Sequence, residues 1–394
     1  MNYMTNIFGL LLFFFACQNT SAQPYIQFEK GGFAAALEKS KKTNKPLFFM
    51  CYASWCPHCH TMREHVFTDS SVVDFYNRYF ICVEQDMEKD EGIKLHKDFN
   101  IKSYPTLIYF DSNGKVIYRT TGELQSANFI SEGLTALTPE KQLPFLKQQF
   151  ELDISNSDKC YDYLVVLKNG ELDYSDVVKK YFSTQKENDL LSEKNWKIIA
   201  NGTTEINSRE FQFLLSHQKE FASLTSAERV ERKIVSVVKN LLSQGINEKD
   251  SIHYFANRKL ATDIHLRKID SLIFISDIKF YENTQNWDAY KTHTLQLTAT
   301  DIWNNYGQLN AIATIYLYHI SDSLALVQSI NWTAHALALH EDYGIYILSA
   351  KLHQKINDKK GVIKMAKKGK ELALKYGWDY DEADKLLKEY NEIK

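Results

Sequence analysis

Between Phe28 and Leu137 the apolar positions switch repeatedly between two periods. FAAALEKSKK, 33–42, repeats at helical spacing, whereas PLFFMCY, 46–52, is a continuous apolar run, the pattern of a strand buried on both faces. Helical spacing returns through Met62, Val66, Val72, Val73, Phe75 and Tyr76, with a break predicted near Thr68-Asp69. YFICVE, 79–84, predicts a second buried strand, 91–99 a helix, and LIYF, 107–110, a third strand. Asp111-Ser112-Asn113-Gly114 predicts a hairpin turn, because Asn-Gly supplies the positive φ angles of a two-residue loop. KVIYRT, 115–120, then returns as an edge strand, and a last helix starts near Ser126.

Beyond Leu137 the period is helical almost throughout. Segments 173–182, 209–222, 226–243 and 303–318 carry apolar residues three and four apart. Segments 321–339, 341–355 and 358–377 predict further helices, the last two joined at Ile356-Asn357. This end of the chain resembles tetratricopeptide repeats, with Leu348, Ser349 and Leu352 at first-helix packing positions. It departs from them where Gly361 replaces the usual alanine and where no proline closes the unit. The expected organisation is an α/β domain at 23–138, a helical region of unassigned role at 139–300, and helical hairpins at 301–394.

Composition narrows the classes. The 394 residues hold 47 basic and 49 acidic side chains, a net charge of -2 that argues for neither nucleic acid nor an anionic membrane surface as partner. Residues Ile7–Cys17, IFGLLLFFFAC, are apolar and are followed by the small residues Thr20-Ser21-Ala22. The apolar run is shorter than the roughly 20 residues of a membrane span, so 1–22 is expected to be an export signal and the mature chain periplasmic. The leading MNYMTN departs from the usual pattern in having no Lys or Arg. Phe14-Phe15-Ala16-Cys17 is a loose lipoprotein box without its leucine, and lipid anchoring through Cys17 is the variant of this reading. Six cysteines, Cys17, Cys51, Cys56, Cys59, Cys82 and Cys160, are too few for a disulfide scaffold in a chain this long. Cys160 reads as an ordinary residue.

Only Cys56 and Cys59 are close in sequence, in Trp55-Cys56-Pro57-His58-Cys59-His60. Three chemistries use such a pair. A redox dithiol needs the first sulfur at the start of a helix, where unpaired N–H groups and the helix dipole favour negative charge on the attacking thiolate. The second sulfur then lies one turn further on, and Pro57 suits the first helical turn because its missing N–H costs nothing there. Haem attachment uses C-x-x-C-H, which this run formally satisfies. Zinc needs four ligands, and neither a second C-x-x-C nor an H-x-x-H follows; Cys51 and Cys82 fall on predicted neighbouring strands, where cysteine packs as a small apolar residue. A Cys–His protease fits a helix-start dithiol poorly.

At this point residues 25–137 resemble the thioredoxin superfamily. Trp55-Cys56-Pro57-His58-Cys59 is similar to its active-site motif, with a dipeptide found in oxidising, disulfide-forming members. The stretch HTMREHVFTDSSVVDFYNRYF, 60–80, is similar to the branch that includes the C-terminal domain of the bacterial transmembrane disulfide reductase. Tyr104-Pro105-Thr106 matches the family's cis-proline loop, 46 residues past Cys59. The resemblance implies a mixed sheet flanked by helices and thiol–disulfide exchange with protein substrates. It implies Cys56 as attacking and Cys59 as resolving cysteine, and Tyr104, Pro105 and Thr106 as the groups that present substrate backbone. Trp55 would cover the thiol. Protonated, His58 would stabilise the thiolate and make the disulfide easier to reduce. No cofactor or metal is implied; the partners would be protein thiols and disulfides, with a membrane protein as redox partner and the helical domain docking a protein. The chain departs from thioredoxin at Met50, where a buried aspartate is usual, so proton handling would fall to water, Glu84 or His60. The dipeptide favours oxidation or isomerisation and the branch favours reduction, which leaves the direction open. The alternative is a helical-repeat binding or scaffold protein whose α/β domain is a sensing or targeting module.

Overall fold

The computed structural model describes residues 25–296 and 301–391; the expected signal segment 1–22 and Cys17 lie outside the described residues. The chain divides into two compact units, one ending at Thr203 and one beginning at Thr204.

The first unit opens with helix α1 (Gly32–Thr43), strand β1 (Leu47–Tyr52) and helix α2 (Pro57–Thr61). α2 runs on as a π-helical turn over Met62–Val66 before helix α3 (Ser70–Tyr79). The break near Thr68-Asp69 is therefore present: Asp69 caps α3 by accepting from the Ser71 N–H at 2.9 Å. Strand β2 (Ile81–Asp86), helix α4 (Glu91–Asp98), strands β3 (Thr106–Phe110) and β4 (Val116–Thr121) and helix α5 (Ser126–Leu137) follow. The strand expected at 79–84 starts two residues later, because Tyr79 is still the last turn of α3.

The sheet has the order β2-β1-β3-β4, with β1 parallel to β2 and antiparallel to β3, and β3 antiparallel to β4. Alternation along β1 builds two cores. Phe48 and Met50 face α3 and α5, packing with Tyr76, Tyr109 and Phe129. Leu47, Phe49 and Cys51 face the other way, with Ala36, Leu95, Phe110 and the partly buried Phe33 and Phe99. In the first core the Tyr76 and Phe129 rings stack at 4.0 Å, and the Tyr76 hydroxyl donates to the Phe129 carbonyl at 2.7 Å while bonding the Tyr109 hydroxyl at 2.7 Å. Cys51 and Cys82 are buried in the sheet, and burial pushes both thiols far above their ordinary range.

Four more helices belong to this unit: α6 (Leu143–Leu152), α7 (Ser157–Asn169), α8 (Ser175–Thr184) and α9 (Glu193–Gly202). α6 and α7 pack on β4, and Val166 of α7 joins the core beneath α3 and α5. At the sheet's end the Thr121 hydroxyl of β4 donates to the Asn169 carbonyl at 3.2 Å. At the opposite side, Phe28 makes a parallel bridge to Cys82 of β2, and the Glu29 N–H donates to the Cys82 carbonyl at 2.8 Å.

The second unit is helical. α10 (Arg209–Ser216) and α11 (Gln218–Leu224) divide at His217 a segment that reads as one helix in the sequence. α12 (Ala227–Glu248), α13 (Ser251–Thr262), α14 (Arg267–Asn283) and α15 (Trp287–Thr294) follow. The described part ends with α16 (Tyr306–His319), α17 (Ser323–Leu339), α18 (Tyr343–Lys355), α19 (Lys359–Tyr376) and α20 (Asp381–Asn391). Asp322, Asp342 and Asp358 cap α17, α18 and α19, each accepting from a backbone N–H three residues on. Leu348, Ser349 and Leu352 are buried, and the Thr333 hydroxyl donates to that of Ser349 at 3.0 Å. A Cβ at Gly361 would lie 2.1 Å from the His353 ring, so only glycine fits there. Within α13–α15, buried Asp277 accepts from Tyr254 at 2.7 Å and from both Nε and Nη2 of Arg258.

Candidate active site

β1 ends at Tyr52 and delivers the chain to the start of α2, where Cys56 is the capping residue and Pro57 the first helical one. The Cys56 sulfur accepts from the Cys59 N–H at 3.3 Å, so one of the helix's unpaired amides is spent on that sulfur. The same sulfur lies 3.6 Å from the Tyr104 carbonyl, to which the thiol donates. Tyr104-Pro105 is a cis peptide bond, which folds this loop over the start of α2. Thr106, the first residue of β3, is fully buried and donates its hydroxyl to the Ser103 carbonyl at 2.7 Å. Five of the residues singled out from the sequence therefore meet at one place: Cys56, Pro57, Cys59, Tyr104 and Pro105.

The two sulfurs are held differently. Both cysteines are free thiols, 3% and 1% exposed at Cys56 and Cys59. The Cys59 thiol is pushed up to about 12, first by burial, then by the bond and the charge of Cys56. A hydrogen bond with the Ala53 backbone opposes that rise, and the Arg63 charge does so to a smaller degree. Arg63 sits one turn beyond Cys59, its guanidinium 3.8 Å from the Tyr52 ring centre and bonded to Glu84 at 3.0 Å through Nε and 2.8 Å through Nη2. Burial raises the Glu84 carboxyl, and Arg63 holds it back down. Glu84 is the register partner of Met50 on β1, so the buried position that lacks an acid has a carboxylate on the neighbouring strand.

The flanking residues make a polar rim. Trp55 is 64% exposed; its indole donates to Glu88 at 2.8 Å, and its ring stands edge-on to Tyr104 with centres 6.0 Å apart. His58 points outward, its Nδ1 2.7 Å from the Glu123 carboxylate. His60 is engaged with the Ser54 carbonyl at 2.7 Å. Glu88, Glu123 and Arg63 were not singled out from the sequence. Arg63 had a usable signal, four positions past Cys59 on one helix face. Glu88 and Glu123 had none, since they lie 33 and 65 positions from their partners.

This arrangement can run a two-step exchange: one sulfur at a helix start beneath the Tyr104 carbonyl, and a second sulfur one turn behind it that burial keeps protonated. A thioether-bound haem would need both sulfurs turned outward, whereas Cys59 is in the core and the His60 ring is already bonded to Ser54.

A family comparison agrees with the fold of this region. Residues 33–135 match the model of a family described as thioredoxin-like domain. Among curated proteins, the thiol:disulfide interchange protein DsbD of Campylobacter jejuni is 32% identical over 98 residues, 24% of this chain and 17% of its own length. The DsbD of Yersinia pestis strain Pestoides F is 32% identical over 89 residues, 22% of this chain and 15% of its own. This chain thus spans less than a fifth of these relatives. A putative disulphide-isomerase from Bacteroides thetaiotaomicron, known in solution, is 35% identical, covering 29% of this chain and 97% of that one with a TM-score of 0.27. A structure described as DsbH oxidoreductase is 26% identical over 29% of this chain and 87% of its own, with a TM-score of 0.26. Residues 33–135, with their mixed sheet, flanking helices and helix-start cysteine pair, are a thioredoxin-like domain, carried in one chain with a large all-helical region.

Proposed function

We propose that this chain is an exported thiol–disulfide oxidoreductase acting on protein substrates through Cys56 and Cys59. The observation that carries the reading is the Cys56 sulfur between the Cys59 N–H and the Tyr104 carbonyl of the cis-proline loop. In the reducing direction the Cys56 thiolate attacks one sulfur of a substrate disulfide. A Cys56–substrate disulfide forms, and the other substrate sulfur leaves as a thiolate that takes up a proton. Cys59 then loses its proton and attacks the Cys56 sulfur. The intramolecular disulfide forms, the second substrate thiolate leaves, and two electrons have passed to the substrate. The reverse sequence oxidises a substrate dithiol. A membrane-bound dithiol protein of the periplasm resets the pair, and the helices beyond α5 select or dock the client. Trp55 covers the attacking sulfur, His58 tunes it, and Tyr104, Pro105 and Thr106 present substrate backbone.

The test is reduction of insulin by the mature chain with dithiothreitol as donor. Wild type is expected to accelerate it, Cys56→Ser to abolish it, and Cys59→Ser to accumulate a mixed disulfide that survives denaturation. Exchange with neither insulin nor glutathione would overturn the reading. Equilibration with glutathione then sets the direction: a potential near about −120 mV marks an oxidant, one near about −270 mV a reductant.

The second reading, a binding or scaffold protein, draws on the groove between α16, α18 and α20, lined by Leu317, Tyr318, Tyr343, Ile347 and Lys351. It gains if the dithiol proves inert while variants at Tyr318 lose a partner.

A further inference from the structure

The loop over the dithiol is held from outside the thioredoxin-like region. α7 ends at Asn169, and the chain turns through Gly170 into Glu171, whose φ of 52° is left-handed. That turn lies against β4: a Cβ on Gly170 would sit 3.0 Å from the Arg119 carbonyl, and Thr121 donates to the Asn169 carbonyl. The fit presents the Glu171 carboxylate to Ser103, whose hydroxyl donates to it at 2.9 Å across 68 positions of sequence. Ser103 immediately precedes Tyr104-Pro105, and its own carbonyl accepts from Thr106. Arg119 completes the cluster. It is 2% exposed, and its guanidinium donates at 2.6 Å to the Phe99 carbonyl and at 3.3 Å to the Asn100 carbonyl, where α4 gives way to the loop. Glu171 is one of the charges that favour this buried cation. The turn after α7, through Glu171, and Arg119 of β4 thus hold the two ends of the segment 99–105, the segment whose Tyr104 carbonyl meets the Cys56 sulfur.

We propose that Glu171 is a positioning residue for substrate capture: it holds Ser103, and through Ser103 the loop that presents client backbone to Cys56. The helical extension α6–α9 then tunes how tightly protein clients are held. The proposal rests on the exchange reading given above. A loop held in the geometry that pairs with an extended client avoids an ordering cost on binding, so the effect belongs in KM and leaves the sulfur chemistry alone.

The experiment uses the full chain with Glu171→Ala, Glu171→Gln and Ser103→Ala. Insulin reduction is followed under steady-state conditions, the dithiol potential against glutathione, and amide hydrogen exchange over 101–107. Expected for Glu171→Ala and Ser103→Ala is a KM for insulin raised roughly fivefold, with kcat and potential as in wild type and faster exchange at 101–107. Glu171→Gln, whose amide oxygen still accepts from Ser103, should recover most of the loss. Ser103→Ala removes one hydroxyl and keeps the test alive if Glu171→Ala does not fold. A KM unchanged in both alanine variants, or a lowered thermal midpoint with KM unchanged, overturns the proposal. Failure of the exchange reading is distinguishable: wild type is then inert, while protection of 101–107 still reports whether Glu171 holds the loop.

Discussion

Two sulfurs three residues apart have different fates because their surroundings differ. Both are buried, but Cys56 sits at the capping position and receives an amide, whereas Cys59 gives that amide and has its thiol pushed up to about 12 by burial. Iodoacetamide at neutral pH should therefore modify Cys56 first and leave Cys51, Cys59, Cys82 and Cys160 unlabelled, as read by peptide mass spectrometry. The pH dependence follows from the raised thiols. Burial pushes Cys59 and Cys160 from 9.0 up to about 12. The folded chain keeps protons that the unfolded chain releases in this window. Their contribution is therefore complete below pH 9 and falls as pH rises from 9 toward about 12. The reduced protein should lose thermal midpoint steeply between about pH 9 and 11. The oxidised protein, in which Cys59 no longer titrates, should lose less; equal losses would contradict the assignment. Arg63→Met removes a cation that lowers the Cys59 thiol and should slow resolution, seen as a longer-lived mixed disulfide; an unchanged lifetime would contradict this role. What the sequence showed at this scale was local. Cys-Pro-His-Cys declares itself within four residues, and Tyr104-Pro105-Thr106 within three. The carboxylates of Glu88, Glu123 and Glu171 join the site only through chain reversals, and no spacing announces them.

Among the elements, the central strand carries the domain. β1 sends alternate side chains to two aromatic cores, which is why PLFFMCY shows no alternation in its own sequence. The hydroxyls of Tyr76 and Tyr109 meet inside one of these cores, and Tyr76→Phe leaves a carbonyl and a hydroxyl short of a partner. A loss of about 1–3 kcal/mol is expected in urea unfolding, with the m-value unchanged. Gly92, in the first turn of α4, lies so close to β2 that a Cβ would sit 1.9 Å from the Asp86 carbonyl; Gly92→Ala must shift the backbone and should cost more than Tyr76→Phe. Element types were legible wherever a period ran for two turns or a whole strand. Boundaries were less so: Tyr79 and Phe80 extend the apolar run of β2 backwards, yet Tyr79 closes α3, since a run of apolar residues does not distinguish a helix end from a strand start. The π-turn at Met62–Val66 and the division at His217 fall where neither glycine nor proline marks a change.

At the scale of the whole molecule, the first unit is larger than the family match. It extends to Thr203, because α6 and α7 cover β4 and Val166 enters the sheet's core. A chain ended after Thr203 is expected to unfold cooperatively and to keep exchange activity. A chain ended after Thr138 should unfold at least about 5 °C lower, as scanning calorimetry would register. The bridge from Phe28 and the turn of α7 also each touch one outer strand of the four-stranded sheet, β2 at Cys82 and β4 at Thr121. In the proposed activity, protein clients would be handled while extended and sticky. The Phe28 bridge takes up the backbone of β2 at Cys82 and so shortens the stretch along which such a client could add lengthwise.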